Sequence, residues 1–432
     1  MIQSINKNAR ALAGAFTRGL RLTLGVAGLS TMLATGLLAL HPATSSAAEQ
    51  KKQEISRALA KEMTAAQKAM QASQWQDALK ALEGADQKSG INAFDKKTIY
   101  YFRAICYIKL NNLKAAQPEF EKALATGAAS SEEVVQYTKT LFQISASTGQ
   151  FQKTIDYGKQ IVDAGNATPN DIAIIAQSYY QLKDCKDSTA WADKAIAATR
   201  KAGETPKENL YLFKLQCASD AGDNATMDTV LMDLIRLTDK TQYWNTLLRI
   251  ERQDEREDHN TLMIYRIMYN TNSMNADTDY IEMAQLLGDA ALPGEAQAVL
   301  DKAMAAGVIK DEHKERTTRL LNSLKARADT DRKNIAQEDA EAQKNAGGEL
   351  DTKLGEVYYG FGDYQKAVDA ISRGLQKGNI KHLDEAYVYL ALSQVQLKNT
   401  AEAKRSFANL KLVPNISPRV LKLMELYSAT LA

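Results

Sequence analysis

The chain has 432 residues, with 54 Lys and Arg against 52 Asp and Glu, 7% aromatic residues, seven prolines and three cysteines. Charges of both signs are interspersed, so no concentrated basic face is available and an electrostatic case for nucleic-acid binding is excluded. Three cysteines allow one intrachain bridge, and scarce proline with abundant Ala, Leu, Lys, Gln and Glu points to helices over strands.

Residues 1–48 read as a signal peptide. Lys7, Arg10, Arg18 and Arg21 precede an apolar run from Leu22 to Leu40 that holds no acidic residue, and Ser46 and Ala48 fit a signal-peptidase site. The expectation is export with cleavage near Ala48 into an oxidising, periplasmic compartment. The alternative is an uncleaved inner-membrane anchor, because the run is just long enough to span a bilayer. No cysteine ends the run, which argues against a lipoprotein. Removing the four cations leaves 50 Lys and Arg against 52 Asp and Glu, a net charge of −2, so the apparent basicity belongs to the leader.

From residue 49 onward, turn signals such as Gly149-Gln150, Gly222-Asp223-Asn224 and Gly362-Asp363 separate periodic apolar stretches in a helix, turn, helix pattern. A first copy keeps Ala78, Leu82 and Ala85 after Trp75. The series Ala104, Tyr107, Ala116, Phe120, Ala123 then has spacings of 3, 9, 4 and 3, which recur in Ala284, Leu287, Ala296, Leu300, Ala303 and in Gly355, Tyr358, Ala367, Ile371, Gly374. Two antiparallel helices approach closely only where one presents a small side chain to a large one on the other, so alternation of size is the code.

These positions resemble the signature of tetratricopeptide repeats. The resemblance implies an all-α, right-handed superhelical solenoid of antiparallel helix pairs. Looser copies anchored at Ala66, Phe142, Ala176, Leu215, Leu248 and Ala391 fill the intervals, although Phe142 and Gly158 depart from the size pattern of the third copy. Residues 49–310 hold repeats 1–7 and residues 349–416 hold further repeats. Residues 311–348 are either a degenerate repeat, with a first helix marked by Leu320, Leu321 and Leu324 and a second over Asp329 to Asn345, or a charged linker. Ser417-Pro418 opens a capping helix over residues 417–432.

In this phase Cys185 starts the second helix of the fourth repeat and Cys217 ends the first helix of the fifth. Antiparallel stacking brings those ends together as a candidate disulfide; otherwise the two are small buried hydrophobes. Cys106, beside Tyr107, belongs to core or groove.

Catalytic and metal signatures are missing: there is no HExxH, GxSxG, phosphate-binding glycine loop or CxxC, and His259, His313 and His382 sit in polar or turn contexts without ligand spacing. Hence neither enzyme activity nor a cofactor or metal is expected. The charged runs Glu251 to Asp258 and Asp329 to Lys344 are solvated faces or docking patches, and Trp75, Trp191 and Trp244 are core residues or anchors.

In repeats of the resembling kind the first helices line an inner groove, and the residue after the small signature position points into it. That position reads Ile105, Gln143, Gln177, Gln216 and Gln285, an amide ladder for a protein or peptide backbone, with Tyr101, Ile108 and Tyr180 as apolar contacts. Glutamine is also simply a soluble helix former. The expected function is a non-catalytic periplasmic scaffold. Tyr243-Trp244, the stretch Asp279 to Ala284, the Gly355 repeat and Asp384-Glu385-Ala386 are together similar to repeat proteins that accompany TonB energy-transducing complexes, which implies association with a proton-driven inner-membrane complex. The rival expectation is a module that binds an envelope polymer or small ligand, or a non-catalytic subunit of an envelope enzyme.

Overall fold

A computed structural model describes residues 55–432 except 254 and 415. The expected signal peptide, residues 1–48, and its expected cleavage site lie outside the described residues. Within them there are twenty α-helices and no strand. In chain order these are α1 (Ala60–Gln71), α2 (Trp75–Asp86), α3 (Ala93–Lys109), α4 (Leu113–Ala125), α5 (Ser131–Ser147), α6 (Phe151–Asp163), α7 (Pro169–Gln181), α8 (Cys185–Lys201), α9 (Glu208–Ala221) and α10 (Asn224–Thr238). They continue as α11 (Thr241–Gln253), α12 (Asp258–Asn270), α13 (Asp277–Asp289), α14 (Pro293–Ala305), α15 (Asp311–Lys344), α16 (Glu349–Gly360), α17 (Tyr364–Lys377), α18 (Leu383–Gln396), α19 (Thr400–Asn409) and α20 (Pro418–Thr430). The fold is an all-α array of tandem helix pairs.

The turn inside each pair is set by the same backbone device. Ser73, Asn111, Gly149, Lys183 and Gly222 all have positive φ, between 56° and 72°. The next residue then donates its N–H to the carbonyl five positions back, as in Gln74 to Ala69 (2.8 Å), Asn112 to Tyr107 (2.8 Å) and Asp184 to Tyr179 (3.0 Å). This is the Schellman closure of a helix C-terminus. Ala291, Gly362 and Lys398 repeat it further along. Helix starts are fixed by side chains: Asn92 with Asp95, Ser130 with Glu133 and Thr168 with Asp171 form capping boxes, and Pro169, Pro293 and Pro418 occupy first turns.

Packing follows the size code. Ala104, Ala116, Ala123, Ala284, Ala296 and Ala367 are fully buried, and Phe120 and Tyr358 are buried beside them, while Tyr107 is half-buried. At Gly355 an added Cβ would lie 2.3 Å from Ile371, so glycine is required there. The departure in the third copy is an exchange of sizes: Phe142 takes the small position, and a Cβ on Gly158 would meet its ring at 2.9 Å and Ile175 at 2.6 Å. One deviation compensates the other.

Two compact units are present, and their boundary falls inside α9, between Cys217 and Ala218, rather than at 311–348. In the first, α1 to α8 pair in sequence. In the second, residues 311–348 do not form a pair of helices. A single 34-residue helix, α15, spans Asp311–Lys344, about 51 Å at 1.5 Å per residue. No Gly or Pro interrupts it, and Arg319–Glu315, Arg332–Asp329 and Gln337–Glu341 pairs run along its exposed face. Leu321, Leu324 and Ala328 bury its first half, and Ala342 its end. Arg327 donates to the Gly288 carbonyl (2.8 Å), Arg373 to Asp339 (2.7 Å) and Lys377 to the Ala342 carbonyl (2.7 Å).

The expected capping helix, α20, packs on α19 but also reaches back to α10 and α12. Trp244, on α11 and 1% exposed, meets Tyr427 edge-on with ring centroids 6.2 Å apart, and Arg419 pairs with Glu251 at 2.9 Å. The second unit therefore closes on itself.

Candidate functional site

In the first unit the proposed groove residues come from α3, α5, α7 and α9. Tyr101 is half-buried and stacks on Tyr137 at 5.1 Å, with Phe120 edge-on at 6.1 Å. Burial pushes both phenols up, so they stay protonated and able to donate. The face is braced by the buried Lys97, which pairs with Glu133 at 2.6 Å. Burial works against the Glu133 carboxylate, yet Lys97 and the Ser130 N–H hold it below the usual range.

Ile105 and Ile108 are half-buried beside Tyr101 on α3. Gln143 is half-buried, and its side-chain carbonyl oxygen is shielded from solvent with no hydrogen-bond partner. Gln177 and Gln216 are each only 9% exposed, and Gln285 belongs to the second unit. The amide row is thus not an open ladder: within the first unit only Gln143 stays partly accessible. Tyr180 stacks on Phe213 at 4.7 Å. The period could locate these helix positions but not their accessibility.

Cys185, at the first position of α8, is bonded to Cys217 on α9, with Cα atoms 5.5 Å apart. Cys106 is a buried core thiol that burial pushes up to about 11.

The second unit holds a network that local spacing could not reveal. Arg266 of α12, 1% exposed, approaches Glu295 of α14 at 3.4 Å and donates to the Tyr389 hydroxyl of α18. Tyr389 in turn donates to Glu295 Oε2 at 2.5 Å. Nearby, Lys353 contacts Glu385 (2.6 Å) and Glu356 (3.1 Å), and His259 lies 2.6 Å from Asp384 and 3.2 Å from Glu385. Donating to the Asp384 and Glu385 carboxylates pushes His259 up to about 9, while burial, reinforced by Glu385, pushes Glu356 up to about 8. His313 has its own partner, Asp277, at 2.7 Å. Arg266 and Tyr389 are sealed from solvent and bonded to each other, so this cluster is built to join helices instead of meeting a substrate.

A cavity of about 580 Å³ opens beside the network, among α12, α14, α15, the α16–α17 turn and the end of α18. Tyr269, Tyr359, Phe361 and Tyr364 supply four rings to its wall. No cluster of metal-ligating side chains occurs among the described residues.

No protein-family model and no curated protein matches the chain. Solved structures to which it is similar include a tetratricopeptide repeat protein from Parabacteroides merdae, at 11% identity over 62% of this chain and 99% of that one, with a TM-score of 0.31. The Naa15/Naa10 complex bound to HypK-THB is 13% identical over 86% and 67%, with a TM-score of 0.38. The tetratricopeptide domain of P58(IPK) is 15% identical over 79% and 99%, with a TM-score of 0.22. At these scores and identities, none of the three carries a partner or an activity over to this chain.

Proposed function

We propose that this protein is a non-catalytic periplasmic scaffold that binds a protein or peptide partner on the first-helix face of residues 55–217. The observation that carries the reading is Gln143, whose buried carbonyl oxygen has no partner while Tyr101, Ile105 and Ile108 stand partly exposed on the neighbouring α3. Turning the half-buried Gln143 carboxamide outward would bring that oxygen to a backbone N–H of a bound segment, and the apolar side chains would cover its flank. The Cys185–Cys217 bond supports an oxidising compartment, in keeping with the leader-like residues 1–48. Within this reading we place the chain beside a TonB-type inner-membrane complex, on the strength of the sequence likeness alone.

The test is site-specific photo-crosslinking from Ile105 in intact envelopes, with the captured protein identified and the yield compared after Gln143→Met, which removes the acceptor at similar side-chain length. A single dominant product whose yield falls several-fold with Gln143→Met supports the groove. Equal yield from Gln143→Met overturns it, and a groove partner outside the energy-transducing complex removes the TonB assignment while leaving the scaffold. The rival reading, a module for envelope polymers or small ligands, is favoured by the aromatic cavity of the second unit.

A further inference from the structure

The cavity belongs to the second unit and the proposed groove to the first, and the wall of the cavity is chemically specific. Its apolar surface is aromatic: Tyr359 and Tyr364 pack at 5.6 Å, whereas Tyr269 and Phe361 carry the protein's own cations, Lys302 at 4.1 Å and Arg332 at 4.6 Å. A cationic ligand would meet rings already occupied and be repelled.

The polar groups narrow the ligand further. Gln297 donates its amide N–H to the Asp301 carboxylate (3.1 Å). Its side-chain oxygen is shielded from solvent and has no partner. The residue itself is only half-buried, so a turn of the carboxamide presents that oxygen to the cavity, where it calls for an O–H or N–H from a ligand.

The carboxylates of the wall are already engaged, Asp301 by Lys325 at 3.1 Å and Glu295 by Arg266 and Tyr389. Lys302, by contrast, donates only to the Asn272 side-chain oxygen (3.1 Å) and pairs with no carboxylate among the described residues. Arg332 has only the exposed Asp329, at 3.5 Å. The uncompensated charge of the cavity is positive.

Aromatic faces, an acceptor awaiting a donor and surplus positive charge together fit a hydroxylated ring that bears a carboxylate. We propose that this cavity is a binding site for an acidic saccharide of the uronic-acid class. The sugar ring lies against Tyr364, a hydroxyl donates to the Gln297 oxygen, and the carboxylate meets Lys302 and Arg332. The volume is of the size that holds such a ligand, within the roughly 300–1,000 Å³ of small-molecule sites. An apolar aromatic acid would leave the Gln297 oxygen unmet, and a neutral sugar would leave both cations unmet. The site is independent of the scaffold reading, and neither falls with the other.

The test is calorimetric titration of the purified full chain with D-glucuronate, D-glucose, benzoate and an acetylated tetrapeptide, repeated with Gln297→Met and Lys302→Glu. Glucuronate is expected to saturate the chain, to bind about tenfold more tightly than glucose or benzoate, and to lose about tenfold with either variant. Lys302 is solvent-exposed, so Lys302→Glu keeps the test decisive if Gln297→Met is unstable. Failure to saturate, equal binding of benzoate or of the tetrapeptide, or variants that bind like the parent would each overturn the proposal.

Discussion

Breaking the Cys185–Cys217 bond offers a quantitative check on the repeat architecture. The bridge links residues 32 apart in sequence. Closing a loop of that length removes enough freedom from the unfolded chain to contribute about 4 kcal/mol at 25 °C. For a unit of this size, a loss of that order lowers the unfolding midpoint by roughly 8–16 °C. The bond ties the start of α8 to α9, and each repeat in such an array contacts only its neighbours. The loss should therefore appear as faster amide exchange in α7 to α9, with α1 to α4 retaining their protection. Calorimetry and hydrogen exchange on the oxidised chain, the reduced chain and a Cys185→Ser/Cys217→Ser variant make the comparison. Cys106 is a clean internal control, because its buried thiol does not become reactive with the others. An unchanged midpoint in both the reduced and the variant protein would refute the bridge. A uniform loss of protection from α1 onward would refute the independence of the repeats.

Other outcomes follow from single sites. Ala291 has a φ of +59° at a helix-ending turn, so Ala291→Gly should stabilise the second unit by about 0.5–1 kcal/mol in urea unfolding. Gly355→Ala places a methyl 2.3 Å from Ile371 and should cost about 1–3 kcal/mol, read in the same assay. Arg266→Ala strands Glu295 and Tyr389 in the interior; a loss of about 3–5 kcal/mol is expected, with early exchange in α18 and α20. His259 has its folded-state pKa raised from 6.5 to about 9, so its contribution is complete below about pH 6.5 and disappears as pH rises through 9. Stability measured across that window should decline in the parent and decline less in His259→Gln.

The helix pairs are legible in the sequence because their code is local. Ala104 with Ala116 and Phe120, or Gly355 with Ile371, are partners within one hairpin, so a short spacing records a three-dimensional contact. The Cys185–Cys217 pairing follows from the same phase, since each cysteine sits at a helix end that stacking must bring together. Where information is carried across many repeats, the period is silent. His259 meets Asp384 across 125 residues, and Arg266 meets Tyr389 across 123, with nothing in either neighbourhood to announce it. The single helix over Asp311–Lys344 escapes for another reason. A thin apolar stripe reads as two weak helices or as a linker, although the absence of any breaker between Leu324 and Asp339 already argues for continuity. The burial of Gln177 and Gln216 is likewise invisible to a rule that assigns a direction and not a degree of exposure.

The repeat buries its helix faces to different degrees in the two units. In residues 218–432, helix faces that an open array would offer to a partner hold Arg266, Tyr389, Glu356 and Trp244, all less than 3% exposed and bonded or packed within the unit. A polypeptide could bind among them only by separating Arg266 from Glu295 and Tyr389, and leaving such a charge buried and unpaired costs several kcal/mol before any new contact forms. What that unit leaves open is a cavity of about 580 Å³, sized for a small molecule. In residues 55–217 no comparable network seals Tyr101, Ile105, Ile108 and Gln143, which stay partly exposed. That energetic difference supports the proposal of a macromolecular partner for the first unit and of a small ligand for the second.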